Sequence, residues 1–270
     1  MTFPTKRIIS TALLGGAALA LTACNFSQVI YPGTDMQLPD AACGYAGNAV
    51  IIPAEDGTAL RGWFFNRGAA TPLVVMYGGN AMNVGNFASL AATDTTRSYL
   101  LMNYRGYGDS AGEPSEKQIM ADARYTIRYA RNAMGNPEAP LCFIGFSLGT
   151  SVATQLATTE NPAGLILVCP FDSMTSVACN VVPFIPRIVP MDSWKSVDYA
   201  AKVRCPVTIL RAKYDQVVPT ESTDAFIRKL PTPPVVRQFE ADHNTIFSAQ
   251  GFVPAIMQAL PNPQQYQFDF

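Results

Sequence analysis

Short apolar runs alternate with longer segments over most of the chain. Most of these runs are continuous, which is typical of parallel strands covered on both faces. The runs span residues 73–77, 99–104, 141–144, 165–169, 207–210 and 235–239. Two earlier β-rich runs, 49–52 and 60–65, are separated by Asp56-Gly57, which is a hairpin signal. The pattern predicts an α/β fold with a mostly parallel central sheet, helices on both faces and a leading antiparallel hairpin.

One segment between two of these runs has a clear helical period. Ser115 and Gln118 form a capping-box signal at its start, and Gly135 is a stop signal. Apolar side chains recur between them at helical spacing and predict one buried face: Ile119, Ala123, Ile127, Ala130 and Met134.

The chain divides into four predicted parts. Residues 1–23 form a signal peptide, 24–48 a breaker-rich spacer, 49–260 one folded domain and 261–270 a C-terminal tail. A length of 270 residues fits one such domain. Within it, residues 171–203 hold Pro183, Pro186 and Pro190 without a clear period, and they predict a short flap.

The N-terminus has the features of an export signal. Lys6 and Arg7 precede an uncharged run, 8–23, that is shorter than the roughly 20 residues of a spanning helix. Residues 21–24 (L-T-A-C) resemble a bacterial lipobox, which implies that Cys24 becomes the lipid-bearing first residue of the mature chain. Asn25 then favours the outer membrane of a bacterial envelope. The alternative is an ordinary cleaved signal with an incidental cysteine.

Export permits disulfide formation, and five cysteines follow Cys24. An odd number leaves at least one thiol without an internal partner. Three of them lie in or beside apparent strands and are expected to be buried thiols: Cys142, Cys169 and Cys205. Cys43 and Cys179 lie in apparently irregular segments and are the candidates for a bridge.

The charge pattern excludes one class of partner. The formal net charge is -1 and charged residues make up 14% of the chain, so there is no basic field to attract a nucleic acid. Apolar residues make up 49%, enough for a sizeable core.

A candidate nucleophile lies between an apparent strand and a helix. Residues 145–149 (G-F-S-L-G) fit G-x-S-x-G, with strand 141–144 leading into it and a small-residue helix following. This is the setting of a nucleophile elbow, which lifts the Ser147 hydroxyl above a sheet. A serine hydroxyl needs a base to react. The chain has one histidine, His243, directly after the last apparent strand.

The acid that would orient His243 is predicted to be Asp215, which follows strand 207–210. Along the chain, Ser147, Asp215 and His243 follow the order that catalytic triads built on such elbows have. Asp172, after the preceding strand, is the competing candidate. Asp242 is a third carboxylate, but adjacent residues on an extended chain point apart.

Four segments resemble the α/β-hydrolase branch that includes membrane-associated serine hydrolases related to acyl-protein thioesterases. Residues 77–83 (Y-G-G-N-A-M-N) resemble its H-G-N-A-x-N oxyanion loop. Residues 103–116 (N-Y-R-G-Y-G-D-S-A-G-E-P-S-E) resemble its N-Y-R-G-Y-G-x-S-x-G-x-P-S-E signature. The elbow and the segments around Asp215 and His243 complete the resemblance.

The resemblance implies an oxyanion hole made by the backbone N–H of Leu148 and one N–H from Gly79 or Asn80. The loop histidine of the family is Gly78 here, so a looser loop is expected. Arg105 is expected to hold the turn after its strand.

These residues predict a serine hydrolase that cleaves carboxylic esters or thioesters through an acyl-enzyme. The expected substrate is a small-molecule or lipid-like acyl ester. No cofactor and no metal are expected, because the sequence has no His/Cys cluster with ligand spacing. A serine peptidase or amidase on the same triad, and a non-catalytic lipoprotein that retains the fold, are the alternatives.

Overall fold

The computed structural model describes residues 30–31, 44–181 and 192–262. Within these ranges eight strands form one sheet in the order β1-β2-β4-β3-β5-β6-β7-β8. They are β1 (Ala49–Pro53), β2 (Ala59–Phe65), β3 (Leu73–Tyr77), β4 (Ser98–Met102), β5 (Leu141–Phe146), β6 (Gly164–Val168), β7 (Val207–Ala212) and β8 (Val235–Phe239). The β1–β2 and β2–β4 pairs are antiparallel, and the other pairs are parallel. The predicted α/β architecture with a leading hairpin is confirmed.

Helices cover both faces of this sheet. In the described ranges they are α1 (Ala88–Thr93), α2 (Glu116–Met134), α3 (Leu148–Ala157), α4 (Met174–Val181), α5 (Ser196–Ala200), α6 (Thr220–Ile227) and α7 (Phe252–Ala259). Helices α2 to α6 contribute to one apolar cluster, and α1 and α7 contribute to a second. On β5, Leu141 and Phe143 join the first cluster, whereas Cys142 and Ile144 join the second. The apolar runs of β3, β4, β5 and β6 therefore have the expected cause, because these strands are buried on both faces. The expectation is wrong for β8, an edge strand that is exposed from Val235 to Gln238.

The predicted amphipathic helix is α2. Ser115 Oγ accepts a hydrogen bond from the Gln118 backbone N–H at 3.3 Å. Gly135 ends the helix in the left-handed conformation, with φ of 78°. Both end signals act as the sequence indicates, because each satisfies backbone groups that the helix leaves unpaired.

Several predicted segments lie wholly or partly outside the described residues. These are the signal peptide, Cys24, Cys43, most of the spacer, residues 182–191 of the flap and the tail after Asn262. Two residues of the predicted spacer, Ile30 and Tyr31, are described and buried. Cys179, expected in an irregular segment, lies instead on α4 as a half-buried free thiol. The described helices include none that is both long and apolar enough to span a bilayer.

A buried ion pair fixes the turn that follows β4. Arg105 Nε and Nη2 donate to the two carboxylate oxygens of Asp122 on α2, each at 2.7 Å. Arg105 Nη1 donates to Asp56 in the β1–β2 turn at 2.9 Å. Arg105 thus ties the hairpin, the β4 turn and α2 together, in the supporting role expected from the sequence.

Replacing Arg105 by Met is expected to lower the free energy of unfolding by about 3–5 kcal/mol, because Asp122 is left buried without its cation. Urea unfolding followed by circular dichroism measures the change. Arg211→Met is the matched control, because the Arg211–Asp224 pair is partly exposed and its loss costs less than about 1 kcal/mol. Equal midpoints for the two variants would contradict the supporting role.

Candidate active site

Ser147 lies on a strained turn between β5 and α3. Its backbone has φ of 50° and ψ of −115°, a region that residues with a Cβ rarely adopt. The next residue, Leu148, begins α3, so the serine hydroxyl sits at a helix N-terminus. The first backbone N–H groups of a helix have no partner within it and point toward this position. The predicted elbow is therefore present as a strand, a sharp turn and a helix.

The glycines on either side of the turn are required by close backbone approach. A Cβ on Gly149 would overlap the carbonyl of Tyr77 and lie 2.7 Å from the carbonyl oxygen of Gly78. A Cβ on Gly145 would overlap the Gly149 carbonyl. Helix α3 can therefore pack against the end of β3 only with glycine at position 149, and against the end of β5 only with glycine at position 145.

Gly149→Ala is expected to destabilise the fold by about 1–3 kcal/mol, because the added methyl group must push backbone atoms apart. Thermal unfolding measures the effect. Gly78→Ala is the matched control, since a Cβ there meets its nearest atom at 3.6 Å, an ordinary contact. Equal melting temperatures for the Gly149→Ala and Gly78→Ala variants would contradict this account of the elbow.

The structure brings the three predicted polar residues into one hydrogen-bonded chain. His243 Nε2 lies 3.0 Å from Ser147 Oγ, and His243 Nδ1 lies 2.7 Å from Asp215 Oδ2. Asp215 follows β7 and His243 follows β8, so parallel strands deliver all three side chains to one edge of the sheet. Ser147 is 8% exposed and His243 6%. In the tautomer with a proton on Nδ1, the imidazole can accept the serine proton through Nε2.

Asp215 is fixed in place and kept ionised. Its Oδ1 accepts hydrogen bonds from the backbone N–H groups of Val217 at 2.9 Å and Val218 at 2.7 Å. Burial by itself raises the pKa of Asp215, but the hydrogen bond and charge of His243 and the Val218 N–H outweigh it and hold the pKa below its ordinary value. Because the pKa of Asp215 is lower in the folded protein than in the unfolded chain, its ionised carboxylate stabilises the fold at pH values above the unfolded pKa. That contribution is lost as pH falls through the folded pKa.

The two competing carboxylates have other partners. Asp172 accepts from Ser222 Oγ at 2.6 Å and Ser176 Oγ at 2.9 Å, and these bonds hold the start of α4. Asp242 Oδ1 accepts the N–H groups of Asn244 and Thr245, each at 2.9 Å. Both carboxylates therefore stabilise turns, and the carboxylate in contact with His243 is that of Asp215.

The loop after β3 runs beside the elbow. A Cβ on Gly79 would lie 2.7 Å from the Phe146 ring and 3.4 Å from Ser147 Cβ, so this backbone passes directly over the nucleophile position. Tyr104 OH donates to the Gly78 carbonyl at 2.9 Å, and Tyr107 OH donates to Asn80 Oδ1 at 3.1 Å. Although a looser loop was expected, these bonds hold it.

An open pocket of about 300 Å³ gives access to the serine. Phe146, Ser147 and His243 line it. The Phe146 ring packs beside the imidazole with 5.0 Å between centroids and against Phe247 at 4.6 Å. The remaining lining is polar and small apolar: Asn80, Ala81, Met82, Asn86, Val217 and Asn244.

Cys169, which the sequence predicts only to be a buried thiol, is a neighbour of the site. It directly follows β6, with φ of 52°, and its Sγ lies within 4.8 Å of the donor atoms of Asp215 and His243. Cysteine, aspartate and histidine are metal-ligand types, but a metal needs the thiolate. Burial raises the pKa of the Cys169 thiol well above its ordinary value, which favours an S–H group facing Asp215. The sequence signal for this place is the position of Cys169 directly after an apparent strand, because the ends of parallel strands meet at the edge of the sheet that carries the site.

Comparison with known proteins places the chain among relatives of the same fold. A family model described as alpha/beta hydrolase fold matches residues 72–190. The uncharacterized protein MT2364 of Mycobacterium tuberculosis is 33% identical over 228 residues, which is 82% of this chain and 81% of that protein. The alpha/beta hydrolase domain-containing protein WAV2 of Arabidopsis thaliana is 25% identical over 234 residues, 75% of each chain.

Solved structures agree with this placement. The Pyrococcus furiosus esterase Pf2001 has a TM-score of 0.66 at 16% identity, covering 82% of this chain and 92% of that chain. A hydrolase from Pseudomonas aeruginosa PA01 has a TM-score of 0.62 at 16% identity, covering 80% of this chain and all 100% of that one. Identities this low show a shared fold. The family model and these structures show that the fold is the α/β-hydrolase fold, and the match to MT2364 shows that the chain belongs to one family with that mycobacterial protein.

Proposed function

We propose that the protein is a serine hydrolase of carboxylic esters or thioesters, with Ser147, His243 and Asp215 as its catalytic triad. The observation that carries the proposal is the continuous Ser147–His243–Asp215 hydrogen-bonded chain beneath an open pocket. Two of the solved structures that share the fold are named as esterases, Pf2001 and an acetyl xylan esterase from Paenibacillus, which supports acyl-ester chemistry.

Acylation uses the base and the turn together. Ser147 Oγ attacks the acyl carbonyl carbon while its proton passes to His243 Nε2. The carbonyl oxygen becomes an oxyanion and accepts hydrogen bonds from the Leu148 N–H and an N–H of Gly79 or Asn80. The bond to the leaving group then breaks, and the imidazolium gives its proton to the departing alkoxide or thiolate. Asp215 stabilises the imidazolium between these two transfers.

Deacylation repeats these steps with water as the nucleophile. His243 takes a proton from the water, whose oxygen attacks the acyl carbon. The second oxyanion uses the same backbone donors. Ser147 Oγ leaves with the proton returned by His243, and a carboxylic acid is released.

Covalent labelling with a fluorophosphonate tests the proposal. The folded protein is expected to react at Ser147, and Ser147→Ala is expected to lose the label. Ser89→Ala is the matched control, because Ser89 is exposed on α1 and should leave labelling unchanged. A folded wild-type protein that does not react, or a label that persists in Ser147→Ala, would overturn the proposal.

We also propose that Cys24 carries a lipid that anchors the protein in a bacterial envelope, with the outer membrane favoured by Asn25. The charged start, the uncharged run 8–23 and the L-T-A-C sequence support this proposal. Multiple acyl chains would hold the protein stably on a membrane. Mass spectrometry of the N-terminal peptide from isolated membranes tests it. A mature peptide that begins elsewhere, or a Cys24 without acyl mass, would refute it.

A further inference from the structure

Ile30 and Tyr31 are docked on the body of the domain. Ile30 is 2% exposed and Tyr31 5%. Tyr31 OH donates to Asp192 Oδ2 at 2.6 Å and accepts from Trp194 Nε1 at 2.8 Å, and Trp194 is itself fully buried. We call Ile30, Tyr31, Asp192 and Trp194 the tether dock. It joins the segment that follows Cys24 directly to the folded core.

Helix α2 holds the tether dock in place. The Glu116 backbone N–H donates to Asp192 Oδ2 at 2.7 Å. The Glu116 side chain accepts from the Trp194 backbone N–H at 3.1 Å and from Gln155 Nε2 on α3 at 2.8 Å. Because α2 and α3 belong to the core, the position of Tyr31 is fixed relative to the sheet.

The length of the chain before the dock limits where the membrane can lie. Five residues, 25–29, separate Cys24 from Ile30. Even fully extended, the six steps between these Cα atoms span at most about 20 Å. A domain of this size is roughly 45 Å across. A lipid on Cys24 therefore reaches a bilayer on the dock side of the domain and falls far short of one on the opposite side.

A polar basin of about 480 Å³ adjoins the dock on this side. Glu116 and Asp192 line it, with their carboxylates engaged by the dock hydrogen bonds. Lys117 and Arg124 also line it, and Lys117 is exposed. These two side chains supply N–H donors of the kind that the phosphate oxygens of lipid headgroups accept.

We propose that the tether dock and the adjoining basin form the surface with which the domain rests on phospholipid headgroups. This proposal rests on the proposed lipidation of Cys24. It gives the domain, and with it the active site, a fixed orientation relative to the membrane.

The test uses the full lipidated protein in vesicles of phosphatidylethanolamine and phosphatidylglycerol. The rate of Lys117 acylation by a water-soluble reagent is measured by mass spectrometry against a soluble reference peptide. The comparison variant carries about twelve Gly and Ser residues inserted after Ser27, which lengthens the tether and leaves the dock intact. Lys117 of the unextended protein is expected to react several-fold more slowly than Lys117 of the extended variant.

Tyr31→Ala removes the dock itself and is expected to raise Lys117 reactivity in the same way, whereas Ile30→Val should not. If Tyr31→Ala does not fold, the extended variant still decides. Equal Lys117 rates with the short and long tethers would overturn the proposed surface, and so would an unlipidated Cys24 in the same samples. The measurement involves no turnover, so it is independent of whether Ser147 is catalytic.

Discussion

In the His243→Ala variant, kcat for ester hydrolysis is expected to fall by about 10⁶-fold, because nothing then accepts the Ser147 proton. His243 is the one histidine of the chain, and its Nε2 lies 3.0 Å from Ser147 Oγ. The residual rate should come from the oxyanion donors and from substrate binding. The Ser147→Ala variant and the variant that carries both substitutions, Ser147→Ala and His243→Ala, should therefore show nearly the same residual rate. Steady-state hydrolysis of a p-nitrophenyl ester measures the effect.

Asp242→Asn is the matched control for this prediction. Asp242 precedes His243, and the amide oxygen of asparagine can still accept the N–H groups of Asn244 and Thr245. The turn is therefore kept and kcat should change little. If His243→Ala is folded by circular dichroism and retains most of the wild-type rate, the proposed mechanism is wrong.

Asp215→Asn is expected to lower kcat by about 10⁴-fold while preserving the fold. The amide oxygen can still accept the Val217 and Val218 N–H groups, so the side chain stays in place. The amide nitrogen then faces His243 Nδ1 and donates to it. This favours the tautomer whose Nε2 carries the proton and cannot accept one from Ser147.

Asp172→Asn separates Asp215 from the competing acid. Asp172 is held by Ser222 and Ser176, so its replacement should leave kcat near the wild-type value. Hydrolysis rates and melting temperatures of both asparagine variants are compared. If Asp172→Asn loses as much activity as Asp215→Asn, the assignment of Asp215 as the acid of the triad is wrong.

Local sequence patterns were sufficient to predict the strands, the helix α2 and the nucleophile elbow. The apolar runs indicated buried strands because both faces of each central strand must be covered. The ends of α2 followed from Ser115 and Gly135, which act on backbone groups within one helical turn. The two glycines of G-x-S-x-G could be interpreted because the strand and helix beside them are also local.

Contacts between distant segments could not be read in this way. The roles of Asp172 and Asp215 depend on where two strand ends point, and only the tertiary structure places His243 on Asp215. The place of Cys169 against the same carboxylate depends on its left-handed backbone, which an apolar run does not reveal. Arg105 likewise pairs with Asp56, which is 49 positions away along the chain, and with Asp122, which is 17 positions away.

By itself, the sequence determined the fold class, the elbow and a short list of polar candidates, because these depend on periodicity and on neighbouring residues. The tertiary structure decided which carboxylate contacts the imidazole and where the segment after Cys24 docks. Both outcomes depend on packing between parts of the chain far apart in sequence. Tyr31 shows the difference, since it lies in a breaker-rich stretch without periodicity and yet meets Asp192 and Trp194 in the core.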